Sequence, residues 1–128
     1  MGTISIEATD KTPSIKFNAN QGKLELKGRS IPPNAVEFYK PLTEALKNYR
    51  PEAGLPVVAD IYLEFFNTVS SKCILDALRL LDALHQKGNN VKINWYYEKD
   101  DKDIQEAGID FQAILKLPFT LISVNEEN

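Results

Sequence analysis

The sequence predicts an α/β fold in which helices pack on a single mixed β-sheet. Apolar and polar residues alternate with a period of two through the first third of the chain, which is typical of half-buried strands. Later segments with helical periodicity alternate with strand-like segments, and this order calls for right-handed crossovers between parallel neighbouring strands. The length of 128 residues suits one unit, so we expect residues 1–128 to form a single domain with its helices on one face of the sheet.

Three short strands are expected before residue 30. The turn Asn18-Ala19-Asn20-Gln21-Gly22 separates the second from the third and supplies hairpin chemistry, because Gly22 and the asparagines tolerate positive φ. The opening of the sheet is therefore predicted to be antiparallel. The apolar positions of the three strands are Ile4, Ile6 and Ala8, then Ile15 and Phe17, then Leu24 and Leu26.

The first helix is expected from about Ala35 to Tyr49. The segment Ser30-Ile31-Pro32-Pro33-Asn34 provides a rigid entry to it, and apolar residues recur near one face at helical spacing. Pro41 falls inside this span and leaves two alternatives: a kinked helix, or a helix that begins only at Pro41.

A central strand and a long helix follow. Val57 to Phe66 is almost continuously apolar, which is typical of a strand that is covered on both faces. A polar turn comes next, and the helix after it is expected to reach about Lys87 because Gly88 ends it.

Two more strands and a weaker helix complete the predicted order. Val91 to Tyr97 alternates as a strand, and the acidic stretch Glu98 to Glu106 leads into a helical segment that Gly108 is expected to interrupt. A last strand is predicted from Phe119 to Val124, and the tail Asn125 to Asn128 is expected to fray.

Composition excludes several classes of function. Fifteen Lys and Arg against eighteen Asp and Glu give a net charge of −3, so the basic excess of a protein that binds nucleic acid by neutralising phosphates is missing. No apolar run approaches the ~20 residues that span a bilayer, and the N-terminus lacks the basic and apolar regions of a signal peptide. The single cysteine, Cys73, precludes an internal disulfide and fits a reducing compartment. We therefore expect a cytoplasmic protein that neither binds nucleic acid nor inserts into membranes.

No cofactor or metal site is expected. The turn after Phe66 lacks the clustered glycines of a phosphate-binding loop, and one histidine with one cysteine falls short of the roughly four ligands of structural zinc. The acidic stretch does not fit a calcium loop, because Gln105 and Phe111 occupy the positions of the required Gly and Glu. We interpret that stretch as a helix start favoured by the dipole, His85 as a capping or surface residue, and Cys73 as a buried residue.

The densest polar cluster is Asn67-Thr68-Val69-Ser70-Ser71-Lys72, between the central strand and the long helix. One helix cap needs one Ser, Thr or Asn side chain, whereas four such residues lie here within five positions. Free N–H groups and the positive end of the helix dipole favour an anion at such a junction, either bound there or formed by phosphorylation of a hydroxyl. Capping and anion holding both remain open from the residues alone.

Five segments together resemble the SiaC family of bacterial regulatory phosphoproteins, over nearly the whole chain from about Ile4 to Leu121. The most specific are the Asn-Thr-x-Ser-Ser turn and the aromatic and acidic block around Trp95. The segments are Ser30-Ile31-Pro32-Pro33-Asn34, Phe38-Tyr39-Lys40-Pro41-Leu42, Phe66-Asn67-Thr68-Val69-Ser70-Ser71-Lys72, Asn94-Trp95-Tyr96-Tyr97-Glu98 with Asp100-Asp101, and Pro118-Phe119.

The resemblance implies a STAS-like fold, similar to that of anti-sigma-factor antagonists, and a partner-switch function without catalysis. It places the phosphorylated threonine of the family on Thr68, with a dedicated kinase of the anti-sigma-factor type and a PP2C-type phosphatase acting on it. The unphosphorylated form is implied to bind and activate a diguanylate cyclase, which raises cyclic-di-GMP and controls biofilm formation. Partner contacts are expected from Asn67, Ser70, Ser71, Lys72, Ser30 and Pro32.

Two positions depart from the family pattern. Val69 stands where serine is common, which removes one rival hydroxyl and favours Thr68, and Pro33 stands where an acidic residue is expected. Two other functions remain as alternatives: an anti-sigma-factor antagonist with a transcriptional output, and a small hydrolase with Thr68, Ser70 or Ser71 as nucleophile. The hydrolase is the weaker alternative, because such a hydroxyl needs a positioned base and the single histidine lies far along the helix, which leaves a lysine such as Lys72.

Overall fold

The computed structural model describes residues 3–125 and shows six strands and three helices within them. All six strands form one sheet, and their order across the sheet is their order along the chain. The first three strands are antiparallel neighbours, and the last four run parallel. The predicted α/β fold, one mixed sheet with an N-terminal antiparallel hairpin, is confirmed. The elements are β1 (Thr3–Ile6), β2 (Ser14–Asn18), β3 (Lys23–Ser30), α1 (Ala35–Lys47), β4 (Val57–Phe66), α2 (Thr68–Gln86), β5 (Val91–Glu98), α3 (Lys102–Ile114) and β6 (Phe119–Val124).

The three helices lie on one face of the sheet. Each crossover from β3 onward advances by one strand in the same direction, and right-handed crossovers of this kind leave their helices on the same side. Burial alternates accordingly in β4, where Val57, Ala59, Ile61 and Leu63 are buried and the side chains between them are partly exposed. The expectation that the strand is covered on both faces is therefore wrong. We call its uncovered side, and that of the whole sheet, the open face.

The core between sheet and helices is centred on Trp95, which is 1% exposed. Its ring contacts those of Phe66, Phe111 and Phe119, at centroid distances between 5.4 and 6.2 Å. The indole N–H donates to the carbonyl oxygen of Ile104 at 3.0 Å. Because Ile104 and Phe111 belong to α3, these contacts hold that helix on the sheet.

The first helix begins at Ala35, so the alternative in which it starts only at Pro41 is wrong. Asn34 is its N-cap, and the Asn34 Oδ1 atom accepts a hydrogen bond from the N–H of Glu37 at 3.2 Å. Pro41 lies inside the helix with its ring exposed, and the helix ends at Lys47, two residues before the expected end.

The last helix runs through Gly108, where an interruption was expected, so that prediction is wrong. A Cβ atom at Gly108 would lie 2.5 Å from Trp95 Cδ1 and 2.6 Å from Leu121 Cδ2. Glycine therefore serves close packing of α3 against the sheet at this position, and it does not end the helix. Asp101 begins the helix as its N-cap, where its Oδ1 atom accepts the N–H of Ile104 at 3.1 Å.

Residues 126–128, most of the tail expected to fray, lie outside the described residues. Within residues 3–125, no helix is both long and apolar enough to cross a membrane. The same residues contain no group of three or more His, Cys, Asp or Glu side chains that could hold a metal ion.

Candidate functional site

The four parallel strands end, and the three described helices begin, on one side of the sheet, which we call the carboxyl edge; the junctions after β3 and β4 are neighbours there. β3 and β4 are parallel neighbours, and each is followed by a helix that starts at this edge. The two junctions are joined directly, because the N–H of Asn67 donates to the carbonyl oxygen of Ser30 at 3.2 Å. The polar turn that the sequence singled out therefore lies beside the entry to α1.

Thr68 is the first residue of α2, and its side chain is exposed. The preceding residue, Asn67, is the N-cap: its Oδ1 atom accepts the N–H of Ser70 at 2.9 Å, and its carbonyl oxygen accepts the N–H of Ser71 at 2.9 Å. Asn67 therefore caps the N-terminus of α2. The Thr68 hydroxyl is not used for it, and no bond from a described residue to that hydroxyl is present.

The three hydroxyl-bearing residues of the turn differ in their exposure to solvent. Ser70 is 0% exposed, Ser71 is half-buried and Thr68 is exposed. A kinase must take the hydroxyl into its own active site, so Ser70 is out of reach in this conformation. Thr68 is the most accessible of the three, and it lies at the helix end where the backbone N–H groups and the dipole favour negative charge.

The hydroxyls of Ser30, Tyr39 and Ser70 form a buried cluster beneath this turn. The Ser30 Oγ and Tyr39 Oη atoms are 2.6 Å apart, and Ser30 donates to Ser70 Oγ at 2.9 Å. All three residues are at most 1% exposed, and Pro32 is also buried. The side chains of Ser30, Ser70 and Pro32 are therefore not displayed on the surface in this conformation, and their direct contact with a partner stays a prediction. They join β3, α1 and α2 and so fix the position of the turn.

Tyr39 was not identified as a site residue from the sequence, where it belongs to the apolar face of a helix. No local signal could reveal its role, because its hydroxyl partner Ser30 comes from the preceding strand. Burial raises the pKa of Tyr39 from 10.0 to about 12, and the bond to Ser30 opposes this rise.

Tyr39→Phe should lower the free energy of unfolding near neutral pH. It should also remove part of the decrease in stability that the wild-type protein shows at alkaline pH. Deleting one hydroxyl from a buried cluster costs about 1 kcal/mol. Between the unfolded pKa of 10.0 and the folded pKa of about 12, the unfolded chain releases a proton that the folded protein keeps, so stability falls as the pH rises. From pH 9 to pH 11 this loss of stability is on the order of 1 kcal/mol, present in the wild type and absent in the variant.

Urea unfolding of both proteins at pH 7, 9 and 11 measures this difference. The comparison with Tyr39→Phe removes the contributions of Tyr49 and Tyr96, whose pKa values are also raised by burial. Equal pH dependence in the two proteins would show that Tyr39 ionises as freely in the folded state as in the unfolded chain.

Lys72 and Cys73 follow in the next turn of α2. Lys72 is exposed four residues after Thr68, on the same side of the helix, and forms no ion pair with a described residue. Its charge is therefore available to an anion or to an acidic partner. Cys73 is buried, as interpreted from the sequence, and burial raises the pKa of its thiol, which disfavours a nucleophilic thiolate.

The carboxyl edge displays a hydroxyl without activating it. No histidine, aspartate or glutamate among the described residues bonds the Thr68 hydroxyl, and His85 lies in the last turn of α2, at the opposite end from Thr68. His85, interpreted from the sequence as a capping or surface residue, is half-buried. Within the described residues, no side chain is bonded to the Thr68 hydroxyl as a base that a nucleophile would need.

A family profile described as "SiaC family regulatory phosphoprotein" matches residues 6–124. A protein of Pseudomonas aeruginosa strain UCBPP-PA14, named only as uncharacterised, is 28% identical over 126 residues, which cover 98% of this chain and 100% of that protein.

Two solved structures of Pseudomonas aeruginosa proteins are similar over nearly their full length. Apo-SiaC is 29% identical, with a TM-score of 0.85, and the match covers 95% of this chain and 99% of that one. SiaC in the crystal structure of the diguanylate cyclase SiaD in complex with its activator SiaC is 27% identical, with a TM-score of 0.87 and coverage of 94% and 99%. The likeness extends to the fold described above, a single mixed six-stranded sheet with three helices.

Proposed function

The chain belongs to the SiaC family of regulatory phosphoproteins, and on that premise we propose that it activates a diguanylate cyclase under the control of phosphorylation at Thr68. The observation that carries this proposal is the exposed threonine at the first position of α2, beside a serine that is fully buried. The similar SiaC has been crystallised in complex with the diguanylate cyclase SiaD, of which it is the activator, and this supports the same class of partner here.

The proposal includes a cytoplasmic cycle with two enzymes. A serine/threonine kinase of the anti-sigma-factor type phosphorylates Thr68, and a PP2C-type phosphatase restores the hydroxyl. The unphosphorylated protein binds the cyclase and raises cyclic-di-GMP, which promotes biofilm formation. The protein acts in this cycle by binding and not by catalysis.

A phosphate on Thr68 is compatible with the fold of the domain itself. It would carry about −1.5 to −2 charges and would lie next to the free N–H groups and the positive dipole end of α2, with Lys72 four residues on. A partner that packs over the same turn would have to desolvate this dianion. Asn67, Ser71 and Lys72 remain in the proposed contact surface, whereas Ser30 and Ser70 support it from below.

The modified residue can be identified directly. We expect the kinase and ATP to add one phosphate to the wild-type protein and none to Thr68→Ala, measured by intact mass and peptide mapping. Ser71→Ala is the matched control, because it removes a neighbouring hydroxyl that is half-buried, and it should be phosphorylated like the wild type. Full phosphorylation of Thr68→Ala would contradict the assignment of the phosphate to Thr68.

Activation of the cyclase tests the function as a whole. Cyclic-di-GMP production by the purified cyclase should rise on addition of the unphosphorylated protein and should not rise with the phosphorylated form. A sigma-factor regulator captured from lysate in place of a cyclase, with no effect on cyclic-di-GMP production, would replace this proposal by the transcriptional alternative.

A further inference from the structure

β6 is the last strand of the sheet, and within the described residues one of its sides has no neighbouring strand. The carbonyl oxygens of Pro118 and Val124 point toward β5, where they accept the N–H groups of Ile93 and Lys99 at 3.0 and 2.8 Å. Main-chain groups alternate in direction along a strand, so every second residue of β6 turns its N–H and C=O groups away from β5. These residues are Phe119, Leu121 and Ser123, and we call their outward groups the β6 edge.

Most of the β6 edge has no hydrogen-bond partner in the described part of the chain. The exception is the carbonyl oxygen of Phe119, which accepts the side-chain N–H of Gln112 in α3 at 2.7 Å. The outward N–H and C=O groups of Leu121 and Ser123 bond to no described residue. A row of such groups is a template on which another strand can pair.

The sequence of β6 does not protect this edge. Edge strands are commonly short, or they carry charges or proline that prevent pairing with another chain. The six residues Phe119–Val124 include no charged residue and no proline, and three of them are β-branched. At the opposite side of the sheet, β1 has four residues and is followed directly by the charged Glu7. Of these two strands, β6 is therefore the better suited to pairing.

An exposed apolar side chain of α3 lies beside the middle of the β6 edge. A Cβ atom on Gly108 would lie 2.6 Å from Leu121 Cδ2, so this turn of the helix is level with Leu121. Ile109 is the next residue, and it is 45% exposed. It shares a flank of α3 with Gln112, three residues on, whose side chain reaches the edge. Ile109 is therefore turned toward the side from which another strand would approach.

A second copy of the chain fits the β6 edge by symmetry. A two-fold axis perpendicular to the sheet at Leu121 pairs β6 with its own copy in antiparallel orientation, and the residues with outward groups then face one another. This axis keeps the helices of both copies on the same face. Neighbouring strands lie about 4.8 Å apart, so two helices that lie over the last two strands of their sheets come roughly 10 Å apart, an ordinary packing distance.

We propose that the chain forms a homodimer through the β6 edge, in which the two six-stranded sheets become continuous and the Ile109 side chains of the two copies meet across the axis. The pairing gives the outward main-chain groups partners and removes Ile109 from water. One strand and one helix flank from each copy make a small interface, so the dimer should dissociate in the micromolar range. The carboxyl edge with Thr68 takes no part in it.

Sedimentation of the full chain over a range of micromolar concentrations tests this dimer. Ile109→Lys should weaken dimerisation at least tenfold, because it brings two positive charges together at the axis. Ile114→Lys is the matched control and should dimerise like the wild type. Ile114 is also 45% exposed in α3, but it is rotated by about 140° from Ile109 and faces away from the β6 edge.

Two further variants test the pairing itself. Ser123→Pro removes an outward N–H that bonds no described residue, so it should weaken dimerisation at least tenfold while the monomer stays folded. In a Cys73→Ala background, Ile109→Cys should form a disulfide-linked dimer under mild oxidation, whereas Ile114→Cys should not. Thermal melts of every variant are compared with the wild type, and cross-linking decides the matter if a charged variant is unstable.

The possible outcomes are independent of the proposed function, because none of these measurements includes a cyclase. A wild-type chain that stays monomeric over this range, without cross-linking through Ile109→Cys, overturns the proposal. A dimer that Ile109→Lys and Ser123→Pro leave unchanged also overturns it, because such a dimer uses another surface. A monomeric chain whose binding to the cyclase is lost in Ser123→Pro would assign the β6 edge to a strand of that partner instead.

Discussion

Replacing Thr68 by Asp is expected to weaken binding to the diguanylate cyclase by tenfold or more, and phosphorylation by about a hundredfold. Like-charge contact and desolvation of a charge at an interface cost several kcal/mol, and 1.4 kcal/mol corresponds to a factor of ten. Aspartate carries one charge where phosphate carries about two, so its effect should be the smaller. Thr68→Ala should bind like the unphosphorylated wild type and should no longer respond to the kinase.

This effect should come from the interface and not from the fold. Ile74, Leu78 and Leu81 are at most 1% exposed and hold α2 on the sheet, whereas Thr68 lies outside this buried row. A negative charge in the first turn is favourable to the helix itself. Far-UV circular dichroism and thermal melting of Thr68→Asp should therefore match those of the wild type.

Calorimetric titration of the wild type, its phosphorylated form and both Thr68 variants measures the switch. Ala113→Asp is the control, because it adds one negative charge at an exposed position of α3, and its affinity should be unchanged. Equal affinity of the phosphorylated and unphosphorylated proteins would rule out the mechanism. A large loss of secondary structure in Thr68→Asp would instead show that the charge unfolds the helix start.

Gly108→Ala is expected to be strongly destabilising for a substitution that adds one methyl group. The added Cβ would lie 2.5–2.6 Å from Trp95 and Leu121, closer than side-chain atoms approach one another. Overpacking of this kind costs about 1–3 kcal/mol or more, against about 1 kcal/mol gained by replacing a helical glycine. A net loss of about 2 kcal/mol, which corresponds to an overpacking cost of about 3 kcal/mol, should lower the melting temperature by roughly 8 °C.

The expected loss has a specific origin in the contacts of Trp95. Its indole N–H bonds the carbonyl oxygen of Ile104, and moving the ring to admit a Cβ would stretch this buried bond. Ala113→Gly, on the exposed side of the same helix, measures the propensity difference alone and should cost no more than about 1 kcal/mol. A Gly108→Ala protein as stable as the wild type would show that α3 moves freely on the sheet.

The sequence predicted the elements well because their hydrophobic periods are clear, and it was less successful where tertiary contacts decide. Val57–Phe66 was expected to be covered on both faces, although Asp60 and Glu64 interrupt its apolar pattern on the open face. Gly108 was expected to interrupt a helix, because glycine is about 1 kcal/mol less favourable than alanine in a helix interior. The neighbour that requires glycine there, Trp95, lies in another element.

In the candidate site, too, some features could be predicted from the sequence and others depend on tertiary contacts. Thr68 was identified from a local motif, and its exposure follows from its place at a helix start. The burial of Ser30 and Ser70 could not be predicted, because it depends on Tyr39 approaching from α1. Asp82 is a similar case: its Oδ1 atom accepts the N–H groups of Lys116 and Leu117, far along the chain, and so fixes the loop before β6.

The identity of strand order in space and along the chain has a consequence for how the protein folds. Each parallel strand joins the one before it, as in the pairing of Val57 with Val91 and of Ile93 with Phe119. Every pairing therefore closes one loop of modest length, and such topologies fold faster than those in which distant strands must meet. As the chain leaves the ribosome from its N-terminus, each new strand adds to an edge that already exists, and none has to be inserted between two earlier ones.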